Sequence, residues 1–135
     1  MTNESTVEDI RRVFDAQNAR HWMVAQSTAQ ERIGKLTLLK DAIVSHRNEL
    51  ADAVHADFRK HAAEFEFTDI YPVLEELKFA IKHLARWMEP VHAKSTLELI
   101  GTRSAVRYEP LGLVLILAPW NYPFQLALVF QHPQV

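Results

Sequence analysis

The chain has 135 residues, 48% of them apolar and 24% charged, with 15 basic against 17 acidic side chains. That length suits one domain of ordinary size, and the composition is that of a packed chain and not of a disordered one. A formal net charge of -2 argues against an electrostatic nucleic-acid binder, and the lack of any cysteine excludes a disulfide framework, a thiolate metal site and a cysteine nucleophile within this chain.

The start, Met1 to Phe14, is polar and acidic, with no apolar core of signal-peptide length. No apolar run approaches the ~18 residues that suggest a membrane span. A cytoplasmic chain without a membrane segment is the expectation. Val7, Ile10, Val13 and Phe14 follow helical spacing, and Ser5 or Thr6 can cap that helix. A second pattern opens around Ser27 to Arg32. Ile33, Leu36, Leu39, Ile43, Leu50, Val54 and Phe58 form its stripe, with Gly34 expected near the first turn.

A third stripe is the clearest: Ile70, Val73, Leu74, Leu77, Ile81, Leu84 and Met88. Asp69 can cap this helix and put Pro72 in its first turn; a longer helix from near Ala62, bent at Pro72, satisfies the pattern equally. Pro90 ends it. Then the period shortens. Ser95 to Gly101 and Ser104 to Pro110 alternate partially, and Gly101 with Thr102 between them predicts a hairpin. Glu109 to Gly112 reads as a turn. Leu113 to Leu117, "LVLIL", has no polar position and reads as a strand buried on both faces of a parallel sheet.

After it comes "APWNYPF", Ala118 to Phe124, and then a helical pattern from Phe124. Pro119 and Pro123 stiffen the backbone on both sides of Asn121. A loop at the carboxyl end of a sheet strand is where α/β proteins place ligand chemistry. A side-chain amide held there can aim an N–H at a developing oxyanion, while Trp120 offers a flat apolar wall. A bracketed asparagine also serves as an ordinary turn residue.

Tyr108 to Leu126, "YEPLGLVLILAPWNYPFQL", resembles the start of the coenzyme domain of aldehyde dehydrogenases, closest to the class 3 or fatty-aldehyde branch. Arg32 to Lys60 and Asp69 to Met88 are similar to that branch's N-terminal helices, so the resemblance runs roughly from Val7 to Val129. It implies an α/β fold with a Rossmann-type coenzyme domain. This chain would supply a mostly helical region over residues 1–94, a hairpin over 95–110 that joins an oligomerisation sheet, and over 111–135 the first core strand and the start of the NAD(P)-binding domain.

The resemblance also implies the oxidation of an aldehyde to an acid through a cysteine thiohemiacetal. Asn121 would donate from its amide to the oxyanion. Leu117, Ala118, Pro119 and Trp120 would line the nicotinamide end of NAD or NADP, and Tyr122 would lie by the aldehyde substrate. A homodimer is the family-like assembly. The fit ends abruptly near Val129, before the family's ribose-binding lysine, Gly-rich motif, glutamate and cysteine. The chain therefore reads as the opening of a larger protein, inactive and self-associating alone, with weak cofactor binding at most.

The remaining candidates carry less. His46, His55, His61 and His83 show no metal-ligand spacing, and Glu75 with Glu76 point about 100° apart on a helix. Trp22 and Trp87 read as packing residues. The competing class of function is a non-catalytic helical interaction protein.

Overall fold

The computed structural model describes residues 5–93 and 101–129. The chain divides into two compact units, one of Met1–Thr28 with Pro90–Leu115, the other of Ala29–Glu89 with Ile116–Val135.

The first unit opens with α1, Val7–Asn18. Thr6 caps it in a reciprocal box: the Asp9 N–H donates to the Thr6 hydroxyl at 3.1 Å, and the Thr6 N–H donates to the Asp9 carboxylate at 3.2 Å. The stripe Val7, Ile10, Val13 and Phe14 is helical as its spacing predicts, but every one of these side chains is exposed. A short α2, His21–Ala25, follows. Strands β1, Val91–Ala93, and β2, Ser104–Val106, pair antiparallel, with His92 opposite Ala105. The hairpin thus forms with an earlier first strand than expected. The expected one, Ser95 to Gly101, lies outside the described residues up to 100.

The second unit holds the buried core. The stripe read as one helix over Ile33 to Phe58 is two: α3, Ala29–Ser45, and α4, Arg47–Phe58. They part at His46, where the Ser45 hydroxyl donates to the Ala42 carbonyl at 2.9 Å and competes with the backbone ladder. Gly34 lies in the second turn of α3, further inside than expected.

α4 ends at Arg59, whose φ of 59° makes it the sole non-glycine residue in the left-handed region among the described residues. The next helical run is continuous from Ala62 to Trp87. It comprises α5, Ala62–Phe65, a π-helical turn, Glu66–Ile70, and α6, Tyr71–Trp87. The longer of the two helix readings is therefore correct, and Asp69 does not cap α6. Pro72 has no N–H for the Thr68 carbonyl and would crowd it; the wide turn, with the Tyr71 N–H reaching back to the Glu66 carbonyl, accommodates the ring.

Phe65, Ile70, Val73 and Leu77 from this run form the core with Ile43 of α3 and Val54 of α4. α7, Pro123–Leu128, packs on it through Phe124 and Leu128. The Phe124 ring meets Phe65 edge to face, centroids 5.9 Å apart.

Leu113 to Leu117 is not a strand. Residues 107–119 have no regular structure, and Leu115 and Leu117 are 81% and 85% exposed. A strand needs an edge to pair with, and among the described residues the only sheet is β1–β2, with no third strand beside it. The apolar composition predicts a segment buried on both faces, and among the described residues nothing buries it. Among the described residues no helix is long and apolar enough to cross a membrane.

Candidate functional site

Asn121 sits in the turn that leads into α7, its side chain at the surface. With Phe58, Arg59, Lys60, Glu64 and Tyr122 it lines an open hollow of about 330 Å³. Among the described residues nothing hydrogen-bonds its side-chain amide, so both N–H donors and the carbonyl oxygen are available to a ligand. Leu117, Ala118 and Pro119 precede the turn and Trp120 shares it with Asn121; all four are exposed and none lines the hollow. The structure thus brings Asn121 and Tyr122 to the hollow and leaves the four apolar residues outside it.

What fixes the turn lies beneath it. Lys60 and Asp69 are 7% and 0% exposed. The Lys60 ammonium donates to Asp69 Oδ2 at 2.6 Å and stands 4.5 Å from the centre of the Tyr122 ring. The Thr68 hydroxyl lies 2.9 Å from the same carboxylate oxygen and 2.9 Å from the Glu64 carbonyl, and its one proton serves one of them at a time. The other carboxylate oxygen, Asp69 Oδ1, accepts the Gln125 N–H at 3.2 Å. Gln125 is the third residue of α7, one of the first-turn donors that have no partner inside the helix. A carboxylate 56 positions earlier in the chain therefore caps α7.

The local sequence explains why Lys60 points inward. The left-handed Arg59 reverses the chain after α4, and the His55 ring contacts the Lys60 carbonyl through Nδ1 at 3.1 Å, closing that reversal. Sequence reading missed Lys60 and gave Asp69 the wrong role. One signal was present: Phe65, Asp69, Val73 and Leu77 stand four residues apart, so Asp69 is an acid on a buried stripe, and a buried acid requires a partner.

The described residues do not fit a dinucleotide by themselves. A pyrophosphate sits best on free N–H groups at a helix N-terminus after a Gly-rich turn. Here the α7 N-terminus starts with a proline and already holds the Asp69 carboxylate. Gly34 is inside α3, while Gly101 and Gly112, both at positive φ, precede no helix. An apolar edge for a nicotinamide ring is what remains. Among the described residues no group of three or more His, Asp or Glu side chains is placed to hold a metal ion.

Comparison with known proteins bears out the family resemblance. The model of the aldehyde dehydrogenase family matches residues 1–134. Aldehyde dehydrogenase family 3 member H1 of Arabidopsis thaliana is 32% identical over 124 residues, 90% of this chain and 24% of the relative. Coniferyl aldehyde dehydrogenase of a Pseudomonas species is 31% identical over 121 residues, 89% of this chain and 25% of the relative. A substrate-bound structure of Staphylococcus aureus AldH superposes with a TM-score of 0.83 at 33% identity, covering 88% of this chain and 26% of that one. The chain spans about a quarter of the length of these relatives. It belongs to the aldehyde dehydrogenase family.

Proposed function

We propose that this member of the aldehyde dehydrogenase family supplies the oxyanion-binding amide of an NAD(P)-dependent oxidation of aldehydes to acids. The observation that carries the reading is Asn121: an unengaged amide on a turn anchored from below by a buried ion pair. As an aldehyde is attacked, its oxygen gathers negative charge. The Asn121 Nδ2–H group donates to that oxygen without giving up a partner among the described residues, which favours the charged adduct over the neutral ground state. Tyr122 borders the aldehyde. Leu117, Ala118, Pro119 and Trp120 would form an apolar edge toward the nicotinamide ring, and the cofactor would supply the hydride acceptor.

The attacking thiolate is not a residue of this chain, which has no cysteine. The cofactor diphosphate is not held by its described residues either. The isolated chain therefore forms no NADH or NADPH from aldehydes. The homodimer and the cytoplasmic location belong to the same reading, with residues 95–110 in the oligomerisation sheet and 111–135 opening the coenzyme domain. The exposed apolar residues Leu111, Leu115 and Leu117 support a second reading, a non-catalytic chain that binds a partner through them.

A chimera separates the two. This chain replaces the matched quarter of the Arabidopsis family 3 relative. Aldehyde-dependent reduction of NAD or NADP is expected, with kcat falling about 10²–10³-fold on Asn121→Ala. A folded chimera without turnover, or an active one in which Asn121→Ala stays within twofold, overturns the reading.

A further inference from the structure

We propose that Lys60 and Asp69 are positioning residues for Asn121: one buried charge pair grips the chain at two points just after it. The inference rests on the reading of Asn121 as an amide donor. Lys60 and Asp69 are nearly devoid of exposed surface and 2.6 Å apart. Neither reaches the turn as a mere neighbour. The Lys60 ammonium faces the ring of Tyr122, the residue after Asn121, with 4.5 Å to its centre. Asp69 Oδ1 takes the N–H of Gln125, four residues after Asn121, at 3.2 Å.

Each grip is directional. A cation is attracted to the face of an aromatic ring and not to its edge. A carboxylate accepts along defined lone-pair directions, and the Gln125 N–H has no carbonyl inside α7 to turn to. Pro119 and Pro123 narrow the backbone choices of the residues between. Two attachments, at Tyr122 and at Gln125, fix both the height of the turn over the core and its rotation. The amide of Asn121 is the group carried on that frame. Asp69 also spends its second oxygen on the Lys60 ammonium, so its carboxylate has one orientation.

A pair that served only stability would be exchangeable for apolar side chains of similar volume, since a buried ion pair adds little net free energy over such a replacement. That difference makes the test. The 135-residue chain is prepared as wild type and as the double variant Lys60→Met/Asp69→Leu. Amide hydrogen exchange is read by NMR at Gln125, with Leu126 as the internal reference, because the Leu126 N–H bonds within the α7 turn to the Tyr122 carbonyl at 3.0 Å. The side-chain amide signals of Asn121 are assigned by their loss in Asn121→Ala.

The expected result is an undiminished helical spectrum, Gln125 exchanging at least tenfold faster relative to Leu126, and the single set of Asn121 side-chain signals breaking into several. A folded double variant with both readouts unchanged overturns the proposal. Where that variant does not fold, Lys60→Gln/Asp69→Asn keeps an oxygen acceptor for the Gln125 N–H and removes the cation from Tyr122. Gln125 then stays within threefold of wild type while the Asn121 signals multiply; Asn121 signals identical to wild type overturn the proposal. The readout is the position of the turn and not turnover. Its failure leaves the role of Asn121 standing, and failure of Asn121→Ala in the chimera leaves the positioning result standing.

Discussion

Asp69 shows how much one buried acid can decide. Its carboxylate has no exposed surface and accepts hydrogen bonds from an ammonium and a backbone amide, with the Thr68 hydroxyl 2.9 Å away. Removing one member of such a pair leaves the other charged and unpaired in the interior, which costs roughly 3–5 kcal/mol. Asp69→Ala is therefore expected to destabilise strongly in urea titration, whereas Lys60→Met/Asp69→Leu comes close to wild type. Asp9 behaves differently because it is at the surface. The Thr6 hydroxyl, the Thr6 N–H and the Arg12 guanidinium hold its carboxyl below the ordinary value. A carboxyl with a lowered folded pKa stabilises the fold above its unfolded pKa of about 3.9 and loses that contribution as pH falls through the folded value. The first turn of α1 is thus expected to keep its exchange protection from neutral pH down to about pH 4 and to fray below it. Asp9→Asn removes that dependence, and an α1 that frays at the same pH with or without the carboxylate refutes the assignment.

Among the elements, α3 carries a glycine with no reason to be one. Gly34 is in the helix interior, its backbone is ordinary, and a Cβ placed there meets nothing within 4 Å. Gly34→Ala is expected to add about 0.5–1 kcal/mol, read as a rise in melting temperature. The run from α5 to α6 depends on Phe65, which is buried and touches Phe124 of α7. Phe65→Ala should cost about 3–5 kcal/mol and release α7 first, seen as early loss of protection at Leu126 and Val129. These helices were legible in the sequence because each shows its period within one segment: Ile70, Val73 and Leu77 were all placed on the buried stripe, and all three are buried. The break at His46 was not legible, since the apolar stripe continues through it and the contacts of the Ser45 hydroxyl and the His46 ring with the Ala42 carbonyl form only in the folded chain. The strand at Leu113 to Leu117 failed for a different reason. Apolar composition tells that a segment is to be buried, but strand form requires a partner edge, and a partner is not a property of the segment. The site divided in the same way. Asn121 stood out locally between its prolines, while Lys60 and Asp69 acquire their meaning from Tyr122 and Gln125, more than fifty positions away.

For the molecule as a whole, the apolar surface left uncovered is its most consequential property. Leu111, Val114, Leu115, Ile116, Leu117 and Trp120 are all exposed within ten consecutive residues that hold no charge. Unpaired stretches of this composition template pairing with other chains. Concentration-dependent oligomers are expected in light scattering, together with a helical circular dichroism spectrum. Leu115→Lys should shift the population toward monomer with that spectrum unchanged, because the residue touches no helix core. A wild-type chain that stays monomeric at high concentration would refute this. The bond from Asp69 to the Gln125 N–H also sets a clock. On a ribosome adding about 5–20 residues per second, the acceptor emerges some 3–11 s before its donor, as 56 residues separate them. Throughout that interval Lys60 and Asp69 have each other but no turn above them. The loop that carries Asn121 is accordingly the last part of this unit to be seated. Protease applied to stalled nascent chains should cut near Lys60 until residue 125 has cleared the exit tunnel, and not afterwards.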